Sequence, residues 1–186
     1  MSEEMLIENC SPTMAGLKTG SLFSCAYESK SEVEESVRFF NLKLVPRGVR
    51  MVPVRFENGR VLIYVYRPDR LSRDLNDEVA RAILSKKAYP TENAQLCVAE
   101  LAKRLRNDSA FPHEIGLFLG YPSSDVDGFI RNKAKGAKLV GTWKVYSNEE
   151  AAREKFALFK KCTRLYKKAY SSHSSFDRLI VKRNAS

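Results

Sequence analysis

The sequence predicts an α+β fold in which a small mixed or antiparallel sheet is covered by helices. Three observations indicate this class: a β-hairpin over 49–66, a strand–helix–strand pattern within 112–146, and amphipathic helical segments around both. With 186 residues, 44% of them hydrophobic, the chain is long enough to bury a core without the support of disulfides or metals. We therefore predict one domain over 1–186, with a polar tail from about residue 171.

The amino-terminal part predicts three helices, over residues 1–9, 12–18 and 31–42. Ser11 and Pro12 indicate the start of the second, because serine caps helices and proline is tolerated at the first helical position. Ser31 and Glu34 form a capping box at the start of the third. The type of the segment that begins at Leu22 stays open.

The hairpin over 49–66 is the clearest local pattern. Asn58–Gly59 separates two runs rich in β-branched and aromatic residues, and this dipeptide supplies the positive φ angles of a type I′ turn. A two-residue turn pairs Val54 with Ile63 across the hairpin. Pro53 cannot donate a ladder hydrogen bond and therefore indicates an edge strand or a bulge.

The rest of the chain predicts helices over 76–87, 91–106 and 147–170, and strands near 114–120 and 139–146. These two strands flank a short helix and form a compact strand–helix–strand unit. Leu179–Val181 predicts a final short strand. We expect the strands around Ile63, Leu117 and Val145 to belong to one sheet.

The net charge of +10 is concentrated in the last third of the chain. Residues 1–128 carry 17 basic and 18 acidic side chains, whereas 129–186 carry 15 and 4. A clustered positive field attracts polyanions, although a solvated lysine-rich helix face is the commoner explanation. The candidates for a nucleic-acid or anion surface lie on the last predicted helix: Arg153, Lys160, Arg164 and Lys167.

The cysteines indicate neither a zinc site nor a disulfide framework. They are widely spaced without a CxxC pair, and the chain has two histidines, so we expect no metal and interpret the thiols as reduced. No apolar run approaches the roughly 20 residues that span a bilayer, and the first residues lack the pattern of a signal peptide. The sequence therefore predicts a cytoplasmic protein without a membrane partner.

Three residues are candidates for catalysis: Cys10, Lys18 and Glu114. Cys10 precedes a predicted helix N-terminus, where the helix dipole lowers the pKa of a thiol, although a buried and inert cysteine is the commoner case. Glu114 alternates with two glycines on a predicted strand, which leaves room for a ligand. Burial there would raise the pKa of its carboxyl group, as general acid/base catalysis requires. An ion pair between Glu114 and a nearby basic residue is the equal alternative.

Four further residues are candidates for ligand binding: Thr19, Ser21, Tyr121 and Trp143. Thr19 and Ser21 flank Gly20 in the run that contains Lys18. Tyr121 lies in the Gly-Tyr-Pro turn that follows the predicted strand of Glu114.

The chain resembles an uncharacterised bacterial family of domains of unknown function. The segments that carry the resemblance are 10–23, 114–130 and 141–146, together with four positions of the last helix: Phe156, Lys161, Cys162 and Tyr166. The resemblance implies that the Cys10 run and the Glu114 segment belong to one domain. It brings no activity, cofactor or catalytic residue.

Two functions from different classes follow. The first is a small-ligand-binding protein or small enzyme with a pocket near the Cys10–Lys18 run and Glu114, whose partner would be an anionic small molecule. The alternative is a non-catalytic module that binds nucleic acid or an acidic partner through the basic last third. We favour the pocket, because the basic helix has no aromatic RNA-binding motif, zinc finger or helix-turn-helix.

Overall fold

The computed structural model describes residues 1–107, 111–173 and 175–182. The helices of these residues are α1 (Glu3–Met14), α2 (Lys30–Leu44), α3 (Pro68–Leu75), α4 (Glu78–Lys86), α5 (Ala94–Asn107), α6 (Ile115–Phe118), α7 (Ser123–Arg131) and α8 (Glu149–Ser171). The strands are β1 (Gly20–Ala26), β2 (Arg50–Glu57), β3 (Arg60–Tyr66), β4 (Leu139–Val140) and β5 (Lys144–Val145). Two short 3-10 helices cover Val45–Arg47 and Phe176–Leu179. The predicted α+β class is confirmed.

The main sheet is antiparallel and has the strand order β1-β3-β2. The predicted hairpin is confirmed, with φ angles of 48° at Asn58 and 70° at Gly59. The strand that the sequence left open is β1, which pairs with β3 so that Phe23 lies opposite Ile63. Strand β3 is therefore central and hydrogen-bonded on both sides.

A β-bulge between Pro53 and Arg55 shifts the register of the hairpin. Pro53 lies opposite Ile63 and Arg55 lies opposite Leu62, so the predicted pairing of Val54 with Ile63 is wrong. The predicted bulge is confirmed, because proline cannot donate to the ladder and the extra residue absorbs the mismatch. Phe56 consequently packs on the same side of the sheet as Met51, whereas Val54 packs on the opposite side.

Helices cover both faces of the main sheet. On one face, Val61, Ile63 and Val65 pack against α1 and α2, and α8 packs against α1 from outside. On the other face, Tyr64 and Tyr66 pack into a cluster built with α3 to α7. Both faces of β3 are thus apolar and covered.

The predicted strand near 114–120 is wrong. The segment forms the helical turn α6 instead, and the Tyr121 amide then donates to the Gly116 carbonyl at 3.0 Å. Gly120 closes the turn with a φ of 74°, a left-handed conformation that glycine adopts freely. A short apolar run fits a buried helical turn as well as a strand, so periodicity cannot separate them.

The segment near 139–146 forms a separate hairpin. Only Leu139–Val140 and Lys144–Val145 pair, and they make no ladder with the main sheet. The prediction that Ile63, Leu117 and Val145 share one sheet is therefore wrong. The final strand predicted at 179–181 is also wrong, since a 3-10 helix ends there and the Val181 amide donates to the Met14 carbonyl at 3.1 Å.

The helix predicted over 12–18 does not form. Instead, α1 continues through Pro12 and ends two residues later at Met14, and Pro12 has no N–H to donate to the hydrogen-bond ladder of the helix. Helix α3, which the sequence pattern does not predict, begins at Pro68 as its first residue. The other long predicted helices are confirmed within a few residues at each end.

Candidate functional site

An apolar pocket of about 360 Å³ lies between α6, α7 and the β4–β5 hairpin. Its wall is mainly aromatic and aliphatic: Phe111, Ile115, Tyr121, Val126, Phe129, Val140 and Trp143. Its polar lining includes His113, Thr142 and Lys144. We call it the aromatic pocket.

Two ligand-binding candidates form one wall of the aromatic pocket. The rings of Tyr121 and Trp143 stack with centroids 5.0 Å apart, and Phe156 meets Trp143 edge-on at 4.5 Å. Burial raises the pKa of Tyr121 to about 12, so its hydroxyl stays protonated at neutral pH. This wall is therefore an uncharged aromatic stack.

Asp125 holds the wall formed by Tyr121 and Trp143 in position through hydrogen bonds. The side chain is 1% exposed, and its Oδ2 accepts the indole N–H of Trp143 at 2.7 Å. Its Oδ1 accepts the Tyr146 and Ser147 amides at 2.8 Å and the Ser147 hydroxyl at 2.7 Å. Burial alone would raise the pKa of Asp125, but these hydrogen bonds outweigh it and lower the pKa, so Asp125 is a buried carboxylate that ties α7 to β5.

A histidine and a lysine border the pocket beside Phe129. The His113 ring meets Phe129 edge-on at 5.2 Å, and the Lys144 ammonium lies 5.8 Å from the centroid of the same ring. Lys144 also donates to the Ala134 carbonyl at 2.8 Å, which holds its side chain against the turn that follows α7. The ammonium keeps further protons for a ligand, since it carries three.

Cys10 lies in the second half of α1, so its predicted place at a helix N-terminus is wrong. The side chain is fully buried, and burial raises the pKa of the thiol to about 12, although the nearby Lys18 opposes this rise. The predicted depression of the pKa is therefore wrong as well. The helix starts at Glu3 rather than at Pro12, and this removes the favourable dipole.

Lys18 and Thr19 lie close to the aromatic pocket without lining it. The Lys18 ammonium is 5.5 Å from the centroid of the Tyr121 ring, and burial lowers the pKa of Lys18 to about 8. The Thr19 hydroxyl donates to Asp74. A polar cleft of about 320 Å³, lined among others by Asp74, Tyr121 and Lys155, continues beyond them.

Ser21 is buried and has a structural partner. Its hydroxyl is 2.9 Å from that of Thr13 at the end of α1. Nearby, the buried Arg67 donates to the carbonyls of Thr13 and Met14 at 2.7 and 2.6 Å. These contacts place Ser21 within the packing of α1 on the sheet.

Glu114 belongs to a separate buried cluster. Its Oε1 accepts the Tyr89 hydroxyl at 3.0 Å and lies 3.8 Å from Arg104, and its Oε2 is 3.2 Å from the Lys87 ammonium. Burial and the Glu114 carboxylate raise the pKa of Tyr89, which keeps the donor protonated. The structure thus brings Cys10 and Lys18 together and places Glu114 with Lys87, Tyr89 and Arg104.

The basic candidates are spread along the exposed side of α8. Arg153 pairs with Glu149 at 2.6 Å, and Lys167 pairs with Glu8 of α1 at 2.5 Å. Lys160, Arg164 and Lys167 line a shallow groove of about 710 Å³. Half of the four candidates are therefore engaged in ion pairs.

Other kinds of site are not found in the part of the chain that the structure describes. Within these residues, no three His, Cys, Asp or Glu side chains cluster in a way that could hold a metal ion. Nor does any helix among them have the length and apolar character that crossing a membrane requires. The four cysteines are free and buried.

The sequence analysis missed Asp125, Phe129 and Lys144 as parts of one site. The turn that contains Asp125 shows no spacing that predicts a bond to Trp143. The signal that could have found it is an aspartate on a predicted amphipathic helix at a position that faces inward with Val126. Such an aspartate needs buried donors.

The family described as protein of unknown function (DUF3793) matches residues 6–180. The chain belongs to this family. Neither the curated proteins nor the solved structures contain a significant match. Two of the segments that carry the resemblance, 114–130 and 141–146, supply most of the residues that line the aromatic pocket.

Proposed function

We propose that this protein binds a planar, largely apolar small molecule with one anionic group in the aromatic pocket. The observation that carries the proposal is the aromatic pocket itself, a mainly apolar cavity whose polar lining residues are His113, Asp125, Thr142 and Lys144. Ligand sites are commonly concave and apolar, with a few polar groups that orient the ligand, and their volumes start near 300 Å³. The proposed ligand site therefore differs from the one that the sequence predicts near Cys10 and Glu114, because neither of these residues lines the aromatic pocket.

The shape of the wall supports a flat ligand. Tyr121 and Trp143 are held in a stack, and Phe129 of α7 also lines the pocket, so aromatic surfaces border the space. Aromatic rings bind other rings through offset stacking and edge contacts, with a gain beyond burial alone. A planar molecule makes such contacts at little cost in conformational freedom.

The charge at the pocket supports an anion. Both oxygens of Asp125 already accept hydrogen bonds from donors of the wall, whereas Lys144 retains unused protons. An aromatic cage for a cation is disfavoured, because Lys144 already lies beside the Phe129 ring. The four cysteines are free, which supports a cytoplasmic location, where thiols stay reduced.

A matched pair of dyes tests the proposal. 1-Anilinonaphthalene-8-sulfonate and N-phenyl-1-naphthylamine share one scaffold and differ in the sulfonate. Trp143 is the sole tryptophan of the chain, so energy transfer from it to either dye reports binding near the aromatic pocket. We expect saturable transfer to both dyes, with the anion bound about fivefold more tightly, as one partly screened charge pair predicts.

Two variants separate the pocket from the charge. Val140→Glu places a charge at the pocket rim, where Val140 is 68% exposed, and should abolish binding of both dyes. Lys144→Met should weaken only the sulfonate, to the level of the neutral dye. The matched control is Leu42→Glu on α2, where Leu42 is 77% exposed and outside the pocket, and it should bind both dyes as the parent does. Unchanged binding in Val140→Glu, with parent-like thermal unfolding, would exclude the aromatic pocket.

A further inference from the structure

The exposed side of α8 carries an apolar and basic seam that the proposed pocket does not use. Leu158 and Leu165 are 46% and 50% exposed and lie seven residues apart, two turns along the same side of the helix. Lys161 and Lys168 follow each leucine by three residues and are exposed as well. This alternation of three and four residues is the spacing by which one helix meets another along a coiled-coil seam.

The cations of this seam lack acidic partners in the part of the chain that the structure describes. Arg153 and Lys167 make ion pairs, whereas no hydrogen bond or ion pair to a described residue involves the side chains of Lys160, Lys161, Arg164 or Lys168. Lys160, Lys161 and Arg164 also line the groove along α8. The face thus combines two half-exposed leucines with a row of uncompensated positive charges.

We propose that this face of α8 docks an acidic amphipathic helix of another protein. Leucines of the partner would pack between Leu158 and Leu165, and its carboxylates would meet Lys161, Arg164 and Lys168. A second copy of this chain fits poorly, because Lys161 and Lys168 would then face lysines of the same helix. Charge complementarity selects an acidic partner.

Nucleic acid is disfavoured by the placement of the tyrosines of α8. Tyr166 and Tyr170 both pack against the core between α1 and the sheet, and the Tyr170 hydroxyl donates to Glu3 at 3.1 Å. Proteins that bind single strands without reading bases rely on exposed aromatic rings for stacking. The exposed side of α8 presents leucines instead of aromatic rings, and leucines pack against the apolar side of a partner helix.

A synthetic peptide tests this inference on the full-length protein. The probe is a labelled helical peptide with leucines at heptad spacing and glutamates beside them, and a scrambled peptide of the same composition keeps its charge but loses its seam. Fluorescence anisotropy at physiological salt should show at least about tenfold tighter binding of the ordered peptide, since apolar packing survives the screening that weakens charge pairs.

Paired variants assign the binding to α8. Leu158→Ser with Leu165→Ser, and separately Lys161→Glu with Lys168→Glu, should each weaken the ordered peptide about tenfold. The control pair is Leu96→Ser with Lys86→Glu, since both residues are exposed on other helices. Control binding should equal that of the parent, and circular dichroism should show the same helix content in all variants.

Three results would overturn the inference. Equal binding of the scrambled peptide would show attraction by charge alone. Tighter binding of a labelled oligonucleotide or of vesicles with anionic lipid than of the ordered peptide would assign the face to those partners. Parent-like peptide binding in both α8 variants would place the contact elsewhere. The dye titrations at the aromatic pocket are independent of each of these outcomes.

Discussion

The indole N–H of Trp143 donates to the buried carboxylate of Asp125 at 2.7 Å, although 18 residues separate them. The bond joins α7 to the β4–β5 hairpin, and two backbone amides of the following turn converge on the same carboxylate. One ionised side chain therefore fixes the relative position of two walls of the aromatic pocket. The stability of this region and the shape of the pocket depend on the same residue.

We expect Asp125→Asn to lower the free energy of unfolding by about 1–3 kcal/mol. The amide cannot accept from all the donors that the carboxylate satisfies, and buried donors left without a partner are destabilising by that amount. Urea denaturation at neutral pH measures the loss. Asp127→Asn is the control on the same helix, because Asp127 makes a partly exposed ion pair with Arg131 four residues on, and helical pairs at this spacing contribute about 0.3–0.5 kcal/mol.

The pH dependence distinguishes the charge of Asp125 from its shape. Its pKa is lowered in the folded state, so its ionisation stabilises the fold above the pKa of an unfolded aspartate, about 3.9, and this stabilisation is lost as the pH falls through the lower folded value. Asp125→Asn should flatten the decline of stability below about pH 4. An unchanged decline would assign the acid sensitivity to other carboxylates.

Glu114→Gln should be destabilising by about 1–3 kcal/mol, because it leaves Lys87 and Arg104 without their buried counter-charge. Tyr89→Phe removes one hydrogen bond and should lower the free energy of unfolding by about 1 kcal/mol. The double variant should lose less than the sum, since both changes act on one network. Glu92→Gln at an exposed pair with Arg81 is the control, and a strictly additive double variant would argue against a coupled cluster.

The sequence predicts the hairpin correctly because its signal is local. Asn58–Gly59 fixes the turn within two residues, and Pro53 marks the bulge by its missing donor. Such patterns need no knowledge of the rest of the chain. Helices α2 and α8 also form as predicted, but their N-caps are Ser29 and Asn148, so the capping box predicted at Ser31 and Glu34 is wrong.

The geometry of the candidate site could not be predicted from the sequence, because it depends on contacts between residues that are far apart along the chain. The apolar run 115–119 has the same composition in a strand and in a buried turn, and its packing decides between them: the Tyr64 hydroxyl donates to the Phe118 carbonyl at 2.6 Å. The partners of Glu114 come from α5 and from the loop after α4. Tyr121 and Trp143 were identified singly, whereas their stack and its support by Asp125 follow from the fold.

Cys10 should be the slowest of the four cysteines to react under native conditions. It is fully buried, and burial raises the pKa of its thiol to about 12, so little thiolate is present at neutral pH. Alkylation followed by mass-spectrometric mapping measures the order of modification, and labelling in urea gives the rates without the fold. Modification of Cys10 ahead of Cys97 and Cys162 would restore it as a candidate nucleophile.

Lys18→Met should raise the free energy of unfolding at pH 7. Burial lowers the pKa of Lys18 to about 8 from 10.5, so its positive charge destabilises the fold below pH 8, and this penalty is relieved as the pH rises from 8 to 10.5. The variant should flatten the rise of stability across that window. Lys86→Met, at an exposed site on α4, should leave the slope as it is. A lower stability of Lys18→Met would mean that the contact with the Tyr121 ring outweighs the penalty.

Gly141→Ala should lower the free energy of unfolding by about 1–3 kcal/mol, because a methyl group there would lie 2.2 Å from the Phe156 ring. The β4–β5 hairpin crosses α8 at this point, and Phe156 in turn supports Trp143 edge-on. The added methyl group should therefore also weaken dye binding at the aromatic pocket. Phe156→Leu opens space at the crossing, so the double variant should recover part of the loss of Gly141→Ala, and the interaction free energy of the cycle measures this coupling. If the losses of Gly141→Ala and Phe156→Leu simply add in the double variant, the hairpin moves away from α8 instead of pressing on the Phe156 ring.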